Sequence, residues 1–209
     1  MLEICLEGEQ VFLLAERALW WPAQKTLMVA DLHWGKTGHF RKNGIPIPVN
    51  TQPKDEMRLA GLIKDHNVEQ LIIAGDLFHS KQNNEVEAFT YWRDAHRSLS
   101  IELVVGNHDI LPSEKYVAWR MNPHHEGFYA APFFVSHDVP ENNNRFTIHG
   151  HIHPAIRIGQ PSIRLCCFAE DEKRFILPAF GSFTGTHTLE PQRYKHLYVI
   201  AEKNVLKWK

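Results

Sequence analysis

Eight polar side chains of the kinds that bind metal ions or transfer protons follow apolar segments of this 209-residue chain. They are carboxylates, imidazoles and one amide, with no thiolate among them: Asp31, His33, Asp76, Asn107, His108, His137, His151 and His153. Such donors suit a site for Mn²⁺, iron or Zn²⁺ and do not resemble the cysteine ligands of a structural zinc site. Eight groups are too many for one ion but suit two. Two ions about 3.5–4 Å apart can clamp the attacking and leaving oxygens of a phosphoryl transfer, so the set predicts that chemistry.

The spacing of these groups favours convergence on one site. Residues i and i+2 of an extended chain face the same side, which would bring Asp31 together with His33 and His151 together with His153. Two ions so close together need a bridging anion to offset their repulsion, and Asp76 could supply it. Glycine permits sharp backbone turns beside an ion, and it precedes three of the groups, at Gly75, Gly106 and Gly150.

Alternating strands and helices must position these groups in the first half of the chain. Apolar runs predict strands at Gln10–Leu14, Ala18–Trp21, Thr26–Ala30, Gln70–Ala74 and Ile101–Val105. One helix is predicted to be capped by Asn50 or Thr51, and a second by Asn83 or Asn84. This order predicts an α/β fold. The polar residues follow three successive strands, which is where open α/β sheets place their sites.

Strands dominate the second half of the chain. They are predicted at Phe133–Ser136, Arg145–His149, Ala155–Ile158, Ile163–Ala169, Arg174–Leu177 and Tyr194–Ala201. The segment Leu111–Phe128 predicts a short helix followed by a loop. Because no repeat, low-complexity tract or linker divides the sequence, we expect a single domain over residues 1–209.

Composition excludes several classes of protein. A hydrophobic fraction of 44% and a charged fraction of 22% are ordinary for a globular chain and exclude a disordered chain, a collagen and a coiled coil. We expect no membrane span, because no apolar run reaches about 18 residues. The absence of a secretory signal and the presence of only three cysteines favour a cytoplasmic protein with reduced thiols. A net charge of −1 gives no overall basic signature of nucleic-acid binding.

The motifs D-x-H, G-D, G-N-H-D, a single downstream histidine and G-H-x-H, in this order, resemble those of the calcineurin-like metallophosphoesterases. They span residues 31–153. The resemblance implies an α/β fold of four layers, an α/β/β/α sandwich with two mixed sheets. It also implies two metal sites that share a bridging Asp76, with Asp31, His33 and His153 at one site and Asn107, His137 and His151 at the other.

The same resemblance implies two catalytic residues. His108 would face the substrate as a general acid or as a positive donor to the phosphoryl oxygen. Asp109 would orient His108, as carboxylates commonly do for imidazoles. One departure is local, because His137 is followed by Asp138 where the superfamily often has glycine.

A narrower resemblance concerns the small bacterial ligase-associated phosphodiesterases of the PdeM type. It rests on five stretches, Asp31–Lys36, Phe40–Arg41, Gly44–Pro48, Gly75–Ser80 and Leu177–Gly185. It implies a Mn²⁺-dependent DNA endonuclease or 3′ phosphodiesterase of DNA repair, associated with a DNA ligase and an exonuclease. In that reaction a hydroxide activated by the metals attacks phosphorus in line, and no covalent enzyme intermediate forms.

Three further side chains are candidates for substrate binding. Lys36 and Arg41 follow the first metal motif and could contact phosphates, which would position a nucleic acid without reading its sequence. They could equally belong to a solvated loop. His79 comes shortly after Asp76 and could contact the substrate or pack beside the site.

Two other functions remain open on the residues alone. A phosphomonoesterase or a phosphodiesterase of small molecules, such as nucleotides, would use the same ligands. A non-catalytic metal-binding subunit of a repair assembly would be expected to have a degraded site, whereas every expected ligand is present here.

Overall fold

The computed structural model describes residues 1–34, 51–78, 84–140 and 144–209. The first sheet has seven strands in spatial order: β1 (Leu2–Leu6), β2 (Glu9–Leu14), β3 (Ala18–Trp21), β4 (Thr26–Val29), β5 (Gln70–Ala74), β6 (Ser100–Val104) and β7 (Asn122–His124). The strands from β1 to β4 pair antiparallel, and those from β4 to β7 pair parallel. The helices described are α1 (Thr51–Asp65), α2 (Asn84–Ala95) and α3 (Ser113–Ala118).

The second sheet has nine strands, and it is also mixed. In chain order they are β8 (Phe128–Ala130), β9 (Phe133–Ser136), β10 (Thr147–His149), β11 (Pro154–Ile158), β12 (Ile163–Glu170), β13 (Arg174–Ile176), β14 (His187–Thr188), β15 (His196–Ala201) and β16 (Asn204–Lys207). Their spatial order is β14-β11-β12-β13-β10-β9-β8, with β15 on β12 and β16 on β15. The parallel neighbours β9 and β10 point their carboxyl ends in the same direction.

The two sheets pack face to face over an apolar core. Buried side chains from both sheets, such as Met28 and Phe133, meet in this layer. A second core lies between the first sheet and the helices, which contribute Leu59, Phe89 and Tyr116. The predicted α/β sandwich with two mixed sheets is confirmed.

The outer face of the second sheet differs from the expected helical layer. Ile156, Leu197 and their neighbours on this face are covered by Leu189 and Tyr194. These two residues come from the segment around the 3₁₀ turn Pro191–Arg193. No α-helix occurs between residue 122 and the end of the chain in the part that the structure describes. Among the described residues, the helices therefore form one outer layer rather than two.

Most predicted elements are present, with shifted ends. The first helix begins at Thr51 and the second at Asn84, beside the predicted caps Asn50 and Asn83, which lie outside the described residues. The loop expected before Phe128 is wrong in part, because β7 forms there and pairs with β6. Its central residue Pro123 has no backbone N–H to donate, which an edge strand tolerates.

Candidate metal centre

The candidate metal centre lies at the carboxyl ends of strands from both sheets. Asp31, Asp76 and Asn107 follow β4, β5 and β6, whose parallel pairing brings these ends to one edge. In the second sheet, one residue follows β9 and two lie on the connection from β10 to β11, namely His137, His151 and His153. The centre therefore needs both sheets, because each supplies part of the donor set.

The first two motif segments run side by side. The backbone N–H of Asp31 donates to the carbonyl of Gly75 at 3.0 Å, and that of His33 donates to the carbonyl of Asp76 at 2.9 Å. Trp34 continues the series by donating to Leu77 at 2.6 Å. These hydrogen bonds fix the two segments relative to each other beyond the ends of β4 and β5.

Five of the candidate ligands have left-handed backbone conformations. Their φ angles are +53° at Asp31, +48° at His33, +52° at Asp76, +67° at His151 and +51° at His153. Such angles are uncommon outside glycine and cost about 1–3 kcal/mol each, so they persist only where surrounding contacts impose them. The prediction that these pairs lie on extended chain is wrong. The side chains converge because the backbone turns, not because a strand alternates.

The first donor group joins the two sheets. Donor atoms of Asp31, His33 and His153 all lie within 4.8 Å of one another. The Nε2 atom of His153 is 3.4 Å from Oδ1 of Asp31. This nitrogen is buried and makes no hydrogen bond with any residue that the structure describes. A buried imidazole nitrogen facing a carboxylate in this way fits a metal ligand.

The second donor group contains two imidazoles and an amide. The Nε2 atom of His137 is 2.9 Å from Oδ1 of Asn107 and 3.0 Å from Nδ1 of His151. On the other side of the ring, Nδ1 of His137 lies 3.3 Å from the carbonyl of Ala74. Donation from Nδ1 to that carbonyl leaves the Nε2 lone pair facing the group, an arrangement that is common for metal-binding histidines.

Asp76 lies between the two donor groups. Its Oδ2 atom is 3.9 Å from Nε2 of His33, and its Oδ1 atom is 3.6 Å from Nε2 of His137. One carboxylate oxygen therefore faces each group, which is the arrangement that a bridging ligand requires. Together the donors are the carboxylate, imidazole and amide groups that suit Mn²⁺, iron or Zn²⁺.

Burial gives the centre a closed floor and an open mouth. Asp31, His33 and Asp76 are at most 3% exposed. Asn107 and His151 are exposed. Ions held on the floor would be shielded from solvent, which strengthens their interaction with the carboxylates. A phosphate group can approach from the side of Asn107 and His151.

Two glycines leave space that candidate ligands fill. A Cβ atom at Gly75 would lie 2.0 Å from Nδ1 of His137, and one at Gly106 would lie 2.2 Å from Oδ1 of Asp76. Gly75 also has a φ of +89°, which an L side chain rarely adopts. Both positions must be glycine, because any side chain there would collide with a candidate ligand.

His108 lies beside the donor groups, and Asp109 lies beneath them. The backbone N–H of His108 donates to Oδ1 of Asp76 at 2.9 Å, and the ring centroid of His108 is 5.3 Å from that of His33. The Asp109 carboxylate accepts three backbone N–H groups, from Phe78 at 2.8 Å, Gly106 at 3.0 Å and Leu77 at 3.2 Å. These bonds fasten the loops after β5 and β6 to each other. That Asp109 also orients the His108 ring stays a prediction.

The Asp109 carboxyl has a shifted pKa. Burial raises its pKa to about 7, although the N–H donors of Phe78 and Gly106 oppose the shift, and the nearby charge of Asp76 adds to it. The carboxyl is therefore an internal structural group in this environment, not a solvated acid.

A late loop that includes Ala179–Ser182 forms hydrogen bonds with the backbone of the segment that carries Asp31. The N–H of Phe180 donates to the carbonyl of Ala30 at 2.8 Å, and the N–H of Gly181 donates to the carbonyl of Asp31 at 3.1 Å. This segment belongs to the stretch Leu177–Gly185 that carried the family resemblance, and its contacts give that stretch a physical role.

Two arginines clamp this loop, and sequence analysis missed both. Arg17 donates to the carbonyls of Ala179 and Gly181, each at 3.3 Å. Arg58 of α1 lies over the Phe180 ring with its guanidinium carbon 4.1 Å from the centroid, and it donates to the Phe180 carbonyl. Burial lowers the pKa of Arg58, while Asp55 opposes that shift. Nothing in one sequence links position 58 to position 180, so no signal could have revealed the clamp.

The three candidate substrate contacts Lys36, Arg41 and His79 lie outside the described residues. Their roles in binding substrate stay predictions. Among the described residues, no helix combines the length and the apolar character needed to cross a membrane.

Comparison with known proteins gives one family and two solved structures that resemble the chain. The family model for calcineurin-like phosphoesterases matches residues 24–173. No curated protein matches the chain. The crystal structure of the nuclease MPE from Pseudomonas putida is similar, with 30% sequence identity, coverage of 99% of this chain and 98% of that chain, and a TM-score of 0.83. The E. coli phosphoesterase Yfce has 14% identity over 87% of this chain and 96% of its own, with a TM-score of 0.47, and this likeness is too distant to carry an argument.

The motif residues, the sandwich that brings them together and the comparisons point to one conclusion. The family model covers most of the chain, and the similar nuclease aligns with nearly all of it. The chain belongs to the calcineurin-like phosphoesterase family.

Proposed function

We propose that this protein is a phosphodiesterase that uses two divalent metal ions to hydrolyse nucleic acid, with DNA as the substrate. The observation that carries the proposal is the position of the Asp76 carboxylate between the two donor groups. One of its oxygens lies 3.9 Å from Nε2 of His33, and the other lies 3.6 Å from Nε2 of His137. Bound ions, for which we propose Mn²⁺, would supply Lewis-acid activation of a water molecule and neutralise charge on the phosphoryl oxygens. The remaining chemistry belongs to residues of the chain.

His108 is the proposed proton donor to the leaving oxygen. Its backbone is fixed to Asp76 by the 2.9 Å hydrogen bond, and its ring lies against the first donor group. A deoxyribose oxygen is a poor leaving group as an alkoxide, so a positioned acid should contribute about 10²–10⁴-fold to its departure. Asp109 contributes by holding the loop that carries His108.

A nucleic-acid substrate is supported by the similar protein and by the open mouth of the centre. The Pseudomonas putida protein is described as a nuclease, and its structure aligns with nearly the whole chain. The exposed Asn107 and His151 leave room for a strand to pass over the buried floor. The resemblance to ligase-associated phosphodiesterases extends the proposal to DNA repair, with a DNA ligase and an exonuclease as partners.

The first test compares a diester with a monoester on the metal-reconstituted protein. After EDTA treatment and addition of Mn²⁺, we expect clear turnover of bis-p-nitrophenyl phosphate, little turnover of p-nitrophenyl phosphate, and cleavage of a DNA oligonucleotide. Preference for the monoester would replace the proposal with a phosphomonoesterase that uses the same site. Full activity in EDTA would refute the metal requirement.

The second test separates the acid role of His108 from a role in binding. p-Nitrophenolate leaves readily without a proton, whereas a sugar oxygen does not, so His108→Ala should reduce DNA cleavage far more than hydrolysis of the p-nitrophenyl diester. His125→Ala, at an exposed histidine, is the matched control and should leave both reactions unchanged. Equal losses on both substrates in His108→Ala would assign the residue to phosphate stabilisation instead.

A further inference from the structure

A cleft beside the metal centre is rich in cationic side chains. Its volume is about 430 Å³, and it lies between the β2–β3 turn, helix α1, the beginning of β12 and the β15–β16 turn. Four basic and two acidic residues line it: Arg17, Arg58, Arg164, Lys203, Glu16 and Glu202. The chain as a whole has a net charge of −1, so this concentration of positive charge is local.

Three cations at the cleft, Arg17, Arg164 and Lys203, have no carboxylate partner among the residues that the structure describes. Arg17 makes no ion pair with any of them, and its guanidinium donates only to backbone carbonyls there. Arg164 likewise makes no ion pair in that part of the chain, and it donates to the Thr186 hydroxyl at 3.5 Å. By contrast, Arg58 pairs with Asp55 at 3.0 Å. Arg164 and Lys203 are exposed and available to an external anion, whereas Arg17 and Arg58 also support the late loop.

The strand register places a further like charge beside the cleft. Arg157 on β11 lies directly opposite Arg164 on β12 in the antiparallel pair. Directly opposed residues point to the same face of a sheet, and like charges there are destabilising. Both arginines are exposed. An anion bound between them would relieve the repulsion, so Arg157 adds to the positive charge that Arg164 brings to the cleft.

Both sheets connect the cleft to the first donor group. Arg17 donates to the carbonyl of Gly181, whose own N–H donates to the carbonyl of Asp31 at 3.1 Å. On the other sheet, Cys166 lines the cleft and pairs with Ala155, which comes shortly after His153. The cleft therefore flanks the metal centre on the side of Asp31 and His153.

We propose that this cleft binds a backbone phosphate of the nucleic-acid strand whose scissile phosphodiester lies at the metal centre. The proposal rests on the proposed function, and it names the part of the substrate that this surface recognises. Planar guanidinium groups match the geometry of phosphate oxygens, and lysine adds a point charge. A diester with a single phosphate would fill the centre and leave the cleft empty, so the cleft favours a polymer.

The test removes only the charges that do not support the loop at Asp31. The double variant Arg164→Gln with Lys203→Gln retains Arg17 and Arg58. The matched control, Arg97→Gln with Lys207→Gln, removes the same charge from exposed positions that do not line the cleft. Both are compared with the unmodified protein in Mn²⁺, by KM and kcat on a DNA oligonucleotide and on bis-p-nitrophenyl phosphate over a range of salt concentrations.

Binding is measured separately in a His108→Ala background, by fluorescence anisotropy of a labelled oligonucleotide. Each lost phosphate contact should reduce the slope of log K against log salt by about 1. Because the cleft is proposed to bind one phosphate, we expect a reduction of about 1 in the cleft variant. We also expect a higher KM on the oligonucleotide, an unchanged kcat, and unchanged kinetics on the small diester. The control variant should show a smaller change in slope and KM.

Two results would overturn the proposal while leaving the proposed function intact. One is oligonucleotide cleavage by the cleft variant with the KM and salt slope of the unmodified protein. The other is an equal change in the cleft and control variants, which would indicate a general charge effect. Failure of the unmodified protein to cleave the oligonucleotide, with turnover of small esters retained, would instead remove the proposed function and with it the ligand assigned to the cleft.

Discussion

Replacing Gly106 by alanine should disable the centre through a single methyl group. The new Cβ atom would lie 2.2 Å from Oδ1 of Asp76, against at least 3.4 Å for an ordinary contact, so the carboxylate must move by about 1.2 Å. Rotation of the Asp76 side chain alone cannot relieve the clash, because Cβ would also lie 2.5 Å from the Asp76 backbone nitrogen. A misplacement of about 1 Å can cost about 10²-fold in rate. We expect at least that loss of diesterase activity in Gly106→Ala.

The matched control is Gly61→Ala in helix α1. A Cβ atom at Gly61 would meet nothing within 4 Å, and alanine is favoured over glycine in a helix by about 1 kcal/mol. Gly61→Ala should therefore retain activity and melt at the same or a higher temperature. Gly106→Ala should melt lower, because overpacking typically costs about 1–3 kcal/mol.

The assay records kcat and KM on bis-p-nitrophenyl phosphate, the bound Mn²⁺ per chain, and the melting temperature. Activity and metal content of Gly106→Ala equal to those of Gly61→Ala would refute the reasoning. That result would mean that the position of Asp76 is not set by the close approach of the backbone at residue 106.

Three further predictions concern the bridging carboxylate, the clamp on the late loop and the cysteines. Asp76→Asn should lose most activity and metal content, since a neutral amide cannot offset the repulsion between two ions, and elemental analysis showing full metal occupancy with normal turnover would contradict the bridging role. Arg58→Ala should lower stability by about 2 kcal/mol and weaken Mn²⁺ binding in a titration, because charged hydrogen bonds to the loop are lost. Arg58→Lys should restore little of either, because lysine lacks a planar group to stack on Phe180. Cys5 is exposed, whereas burial raises the pKa of the Cys167 thiol to about 12, so a thiol reagent should modify Cys5 in the native protein and Cys167 only after unfolding.

The positions of the candidate ligands could be predicted because they depend on the local sequence pattern. Apolar runs marked β4, β5 and β6, and the polar residues immediately after them had to lie at one edge of the sheet. What the local pattern could not give is the conformation of the backbone there. The extended geometry expected for Asp31 and His33 would hold within a strand, but both residues lie beyond β4 and adopt left-handed angles. The contacts with residues 75–77 that impose these angles are long-range.

The support for the centre was not predictable for the same reason. Arg17, Arg58 and Asp55 contact a loop more than a hundred residues away, at Ala179–Ser182. Periodicity along the chain contains no information about such pairs. The outer face of the second sheet illustrates the same limit, because Leu189 and Tyr194 cover apolar positions for which the family resemblance implied a helix.

The division of the donor groups between two sheets explains why this site needs so much support. The first group takes His33 from one sheet and His153 from the other. A direct bond fixes the two sheets to each other there, since the His151 N–H donates to Oδ2 of Asp31 at 3.0 Å. Small sliding of one sheet over the other would alter both donor groups at once. The clamp on the late loop and the close approach of Gly75 to His137 oppose that sliding, while the bonds to Asp109 hold the loops of the first sheet to each other. Rigidity at the sheet ends therefore keeps both donor groups in place, as the proposed chemistry requires.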